Sequence, residues 1–143
     1  ATVDALFARM PRENFLRSRP DQIAWQALAL RDAGNASTVI AARLLSRHGG
    51  GCEVFVCTPD RDGLFAAIVI TLDRLDLAIQ QARALDGPAL DGHGGTIFDT
   101  FHVLPVDPLN PPSTGQIEAD LRRALAGDLD RLLPSRRTQP RHL

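Results

Sequence analysis

Asp60, Asp62 and Gly63 stand together in the stretch TPDRDGLF, and their types and spacing suit the capture of a small zwitterion. The apolar run CEVFVC before them has the β-branched and aromatic residues of a buried strand. Pro59 and Gly63 break that strand, with Asp60 and Asp62 between them, placed to cap the next element. Leu64, Ile68, Leu72 and Leu75 then recur at helical spacing, and Phe65 and Val69 widen the stripe. A strand delivered through a tight acidic turn into a helix leaves backbone N–H groups free at one exposed point. There the amides of Gly63, Leu64 and Phe65 can donate to a carboxylate. Gly63, lacking Cβ, permits close approach, and Asp60 can accept from an ammonium group. The plainer alternative is that Asp60 and Asp62 only cap the helix.

Other chemistry finds little footing. None of His48, His93, His102 and His142 is spaced from another ligand as a helical metal pair would be, and no HExxH, GxSxG or Walker pattern occurs. His93, in DGHGG, reads as a solvated loop residue, and His102 as a packing or edge position. Asp99 is the one carboxylate inside an apolar strand. It is expected to face solvent on an uncovered sheet side or to help a ligand or partner. Cys52 and Cys57 have an odd separation on one strand, so their side chains point to opposite faces and neither a bond nor a shared metal joins them. They read as packing residues in a reduced compartment. The expectation is a chain that is not catalytic by itself, with no cofactor or metal.

The elements that must position this turn fit a chain of 143 residues, 44% hydrophobic and 23% charged, enough for one cored domain with an appendage. Sixteen basic residues against 17 acidic ones argue against a nucleic-acid or anionic-membrane partner. No apolar run approaches the roughly 20 residues of a membrane span, and the N-terminus has no signal-peptide pattern. A cytoplasmic protein is expected. The missing initial Met suggests a piece of something larger.

Residues 1–36 read as a helical segment: one short helix from Asp4 to Met10, another beginning at Pro11, a third after Ser18-Arg-Pro-Asp21 with Ile23, Ala27 and Leu30 on its apolar face. Those faces are too short to form a core alone and should pack on a neighbour. Residues 37–51 hold a segment leaning to strand and a glycine turn read as flexible linker. Residues 52–133 form the main domain. Within it, 77–85 is a strand in which Leu77, Ile79 and Gln81 alternate with small residues. A long glycine-rich hairpin over 86–95 leads to a further strand at 96–104. After a proline-rich connector, Ser113 and Gln116 open a helix bearing Ile117, Leu121 and Leu125. Residues 134–143 form an extended tail. The resulting order, βαββα, is the α+β, ferredoxin-like pattern without its last strand. The exposed edge is expected to be covered by the 38–45 segment or by another copy of the chain.

The pattern CEVFVCTPDRDGLFAAI, LDRLDLAIQQARAL and IFDTFHVL resembles an ACT domain, the small amino-acid-sensing module of metabolic enzymes. With LFARMPRENFLR, DQIAWQ and the DTF of Asp99 to Phe101, the chain is similar to the C-terminal region of the bifunctional PII uridylyltransferases, over roughly residues 6–143. That resemblance implies a glutamine-sensing ACT domain, the final strand and a second ACT domain lying beyond Leu143. It implies an upstream nucleotidyltransferase acting with Mg and UTP on the PII protein, and an HD domain reversing that modification. It also implies effector contacts at Asp60, Arg61, Asp62, Gly63, Leu64 and Phe65, with Asp76 standing where related domains carry an Asn at a domain interface. The partners so implied are glutamine, PII through the parent enzyme, and a second ACT domain or copy. Two departures are Gln81, where the family usually has Asp, and the longer hairpin over 86–95. The alternative is a ligand-free ACT dimerisation or docking module.

Overall fold

The structure, a computed structural model, describes residues 2–45, 51–88 and 94–129. Three helices come first: α1 (Val3–Phe7), α2 (Arg12–Arg17) and α3 (Pro20–Ala33). After them come β1 (Val39–Leu44), β2 (Cys52–Pro59), α4 (Leu64–Arg74), β3 (Leu77–Gly87), β4 (Thr96–Pro105) and α5 (Thr114–Ala126). The strands form one antiparallel sheet in the order β1-β2-β4-β3.

The expected gap in the sheet is filled. β1 pairs antiparallel with β2 at the edge where a ferredoxin-like sheet carries its last strand, so four strands are present. The 38–45 segment is thus the edge cover, and the arrangement is consistent with a ferredoxin-like fold. The β-branched Val39 and Ile40 begin the strand, and Ile40 is buried opposite Val56. Gly51 enters β2 at φ +89°, and a Cβ there would collide with the Val103 carbonyl and the Leu104 side chain. At this glycine the flexible-linker reading gives way to a backbone packed against β4. Gly49 and Gly50 lie outside the described residues, as does the tail over 134–143.

Alternation along β2 and β4 divides the core between the two faces of the sheet. On one face Val54, Val56, Phe101 and Val103 pack under α4 and α5, against Ile68, Leu72, Ile117 and Leu121. On the other, Phe55, Cys57 and Phe98 meet Leu6, Met10 and Leu30 from the N-terminal helices. The opening helices therefore pack on this sheet, as their short apolar faces require. Cys52 and Cys57 fall in different clusters, free and buried, and burial raises both thiol pKa values.

The alternation expected from Leu77 through Gln81 stops at a β-bulge between Ile79 and Gln81. One extra residue turns Gln81 to the α1–α3 face, opposite His102, while Leu77 and Ile79 belong with the α4–α5 core. β3 also continues to Gly87, which shortens the expected hairpin. At α5 the cap is as expected: Ser113 Oγ accepts from the Gln116 amide at 3.0 Å. No helix among the described residues is long and apolar enough to cross a membrane.

Candidate functional site

β2 ends at Pro59, and four residues later Gly63 turns the chain at φ 81° into α4. That left-handed backbone is the local reason for a glycine here. Asp60 and Asp62 do not cap the helix, because the N-cap is Gly63 and carries no side-chain bond. Of the three amides read as carboxylate donors, Leu64 N–H already donates to the Arg61 carbonyl at 3.3 Å. Its side chain is buried in the core. The Gly63 and Phe65 amides meet no acceptor among the described residues. The Phe65 ring, 46% exposed, leans on buried Phe101 at 5.9 Å between centroids.

Asp60, Arg61, Asp62, Gly63, Leu64 and Phe65 share one groove of about 370 Å³. Its far wall comes from β3 and β4 and adds Asp86 and Asp99. Arg61 lines the groove, and its guanidinium donates to the Leu125 and Gly127 carbonyls at the end of α5. That contact places a cation at a helix C-terminus and ties the turn to α5. The groove is consequently rich in carboxylates, which favours an ammonium group near Asp60 and leaves the helix amides as its anion-accepting end. Asp76 does not join this cluster. It sits beyond the C-terminus of α4, roughly 16 Å along an 11-residue helix. There it has φ 58°, and its carbonyl accepts from Val106 N–H at 2.8 Å.

Asp99 departs from the expectation of a solvent-facing carboxylate. Both faces of the sheet carry helices, and Asp99 is only 2% exposed beneath the groove. Its Oδ1 accepts from Leu85 N–H at 3.2 Å. Burial pushes its pKa up to about 7, against that hydrogen bond and with help from the nearby charges of Asp60 and Asp86. Asp86 was legible only as part of a hairpin, since its place opposite Ile97 depends on strand register.

The shift has a consequence for stability. An unfolded Asp titrates near 3.9, so between about pH 4 and pH 7 the native state holds a proton that the unfolded chain has released. Stability contributed by Asp99 is therefore present at acid pH and lost as pH rises through its folded value. Asp99→Asn keeps an acceptor for Leu85 and removes the titration. It is expected to flatten the pH 5 to pH 8 difference in urea midpoint and to gain roughly 1–2 kcal/mol at pH 8. An unchanged slope would contradict this account.

Among the described residues no cluster of His, Cys, Asp and Glu is arranged to hold a metal ion. His48, His93 and His142 lie outside the described residues. His102 is in β4, on the α1–α3 side of the sheet opposite Glu53 and Gln81.

Comparison with known proteins adds a family to this geometry. A bifunctional uridylyltransferase/uridylyl-removing enzyme of Xanthomonas oryzae pv. oryzae (strain MAFF 311018) is 49% identical over 143 residues, all of this chain. The chain is a region of this enzyme family. It spans 16% of that relative's length. The enzyme of the same name from Xanthomonas axonopodis pv. citri (strain 306) is 48% identical over 99% of the chain, again 16% of its own length. The one from Photobacterium profundum is 33% identical over 99% of the chain and 15% of its length. No family model and no solved structure matches the chain. In this chain the turn between β2 and α4 and the carboxylates of β3 and β4 form one groove.

Proposed function

We propose that this region is an ACT-type regulatory module that binds glutamine in the groove at the head of α4. The observation carrying the reading is the convergence of Asp60 to Phe65 on one groove with open amides at one end and carboxylates at the other. A glutamine zwitterion matches that polarity, its carboxylate toward Gly63 and Phe65 and its ammonium toward Asp60. The names of the relatives supply the context. In it, glutamine binding biases the arrangement of regulatory modules in a cytoplasmic parent enzyme. The parent's other regions carry uridylyl transfer to PII, with Mg and UTP, and its removal. The effector acts by binding one arrangement better than another. Asp76, outside the groove, serves a contact with a second module or copy.

Calorimetric titration of the chain with glutamine tests this. Saturable heat is expected, weakened at least tenfold by Asp60→Asn and lost in Gly63→Val, whose side chain strains a left-handed turn. Asp60 is exposed, so its substitution reads the ligand without loss of fold. Absence of heat overturns the reading. One feature favours a second one: β3 is 11 residues long and forms an edge of the sheet, a template for pairing with another chain. A stable dimer together with calorimetric silence would identify a docking module instead.

A further inference from the structure

On the other side of the sheet, the corner between α2 and α3 stands over β1, β2, β4 and β3 and encloses a cleft of about 530 Å³. We propose that this cleft binds a small phosphoryl dianion, separately from the groove at α4. Four arginines line it from four different places: Arg17 at the end of α2, Arg19 before α3, Arg43 in β1 and Arg83 in β3. Among the described residues only two carboxylates line it, Asp21 and Glu53, so the lining carries two more positive than negative charges, one of them, Arg17, shared with Glu13 outside the cleft.

The pairing inside the cleft is uneven. Arg43 satisfies Glu53 at 2.6 Å and Asp21 at 2.7 Å, and Arg19 meets the same two acids at 3.4 and 3.0 Å. Arg83 closes no ion pair among the described residues. Its NH1 and NH2 donate to neutral oxygens, Ser18 Oγ at 2.7 Å and the Arg17 carbonyl at 2.9 Å, and its Nε is buried without an acceptor. Burial works against its charge. Arg17 pairs with Glu13, outside the cleft, in a half-exposed contact at 2.5 Å that water and salt weaken.

The excess charge discriminates between ligand classes. An amino-acid zwitterion brings no net charge and leaves the imbalance as it was. A phosphate group carries roughly −1.5 to −2 near pH 7 and several acceptor oxygens, which suit forked guanidinium donors better than a single carboxylate does. The volume exceeds what bare phosphate occupies, and Leu44 and Leu45 on the wall offer an apolar surface to an organic remainder.

Titration of the 143-residue chain with inorganic phosphate and with phenyl phosphate, at fixed ionic strength and without glutamine, tests the proposal. Saturable binding at one site is expected, weakened tenfold or more by Arg17→Gln and by Arg83→Gln, and unaffected by Arg122→Gln on α5. The Arg17 side chain is 55% exposed, so its variant keeps the fold even if Arg83→Gln does not. Tighter binding of phenyl phosphate supports an ester as occupant, and equal binding supports free phosphate. Silence with both probes, or equal weakening by Arg122→Gln, overturns the proposal and leaves the glutamine titration untouched.

Discussion

Phe55→Ala is expected to destabilise the chain by about 3–5 kcal/mol, the range for deleting a large buried aromatic. Phe55 has no exposed surface and sits at the centre of the face that meets the N-terminal helices. Its ring lies 4.7 Å from Phe98 and 6.1 Å from Trp25, centroid to centroid. Truncation removes both ring contacts and opens a cavity between α3 and the sheet, where neighbours on rigid strands relax little. Beyond the local loss, the substitution weakens the seam holding α1–α3 to the rest. The expected signature is a midpoint lower by roughly 10 °C or more. Phe65→Ala removes a ring that is nearly half exposed and should cost about 1 kcal/mol. Urea denaturation of the two variants side by side checks the ordering, and equal losses would refute the assignment of Phe55 to the seam.

Arg43→Ala is expected to cost about 3 kcal/mol, through the charge it leaves behind. Glu53 is 3% exposed and depends on the Arg43 guanidinium at 2.9 and 2.6 Å, with the Gln22 amide as a further donor. Removing the cation leaves this buried carboxylate with only the Gln22 amide and the longer Arg19 contact at 3.4 Å, so most of its charge compensation is lost, which costs more than the pair itself contributes. The stacking of Arg43 over Trp25 at 4.6 Å goes with it. Asp21, held at about pKa 2 by its hydrogen bonds to Arg19 and Arg43, loses one of its two partners. The contrast is the double variant Arg43→Met with Glu53→Leu. It replaces the pair by apolar volume and should lose distinctly less than Arg43→Ala alone. A double variant as unstable as the single one would show that packing, and not stranded charge, sets the cost.

Arg43, Glu53, Gln22 and Gln26 also mark where periodicity misled. The apolar stripe Ile23, Ala27, Leu30 points α3 toward the core. Yet the residues of α3 that are most buried are Gln22, Gln26 and Leu30. Gln26 is fully enclosed because each end of its amide finds a partner: Oε1 accepts from Asn14 at 2.8 Å and Nε2 donates to Thr100 at 3.1 Å. Those partners come from another helix and from a strand 74 residues away. No local pattern announces a buried glutamine, since its burial is favourable only once both partners are in place.

Local chemistry alone determined the order of elements after Gly51, the start of α4 at a glycine, the Ser113 cap and the opposed faces of the two cysteines. Each depends on neighbours within a few residues: spacing of apolar side chains, turn residues, and the period of two along a strand. Which strand closes the sheet, where β3 bulges, and that Asp99 lies buried beside Asp60 and Asp86 were decided only in three dimensions. Those outcomes rest on pairing and desolvation between segments far apart in the chain, and such energies have no term in any single stretch of residues.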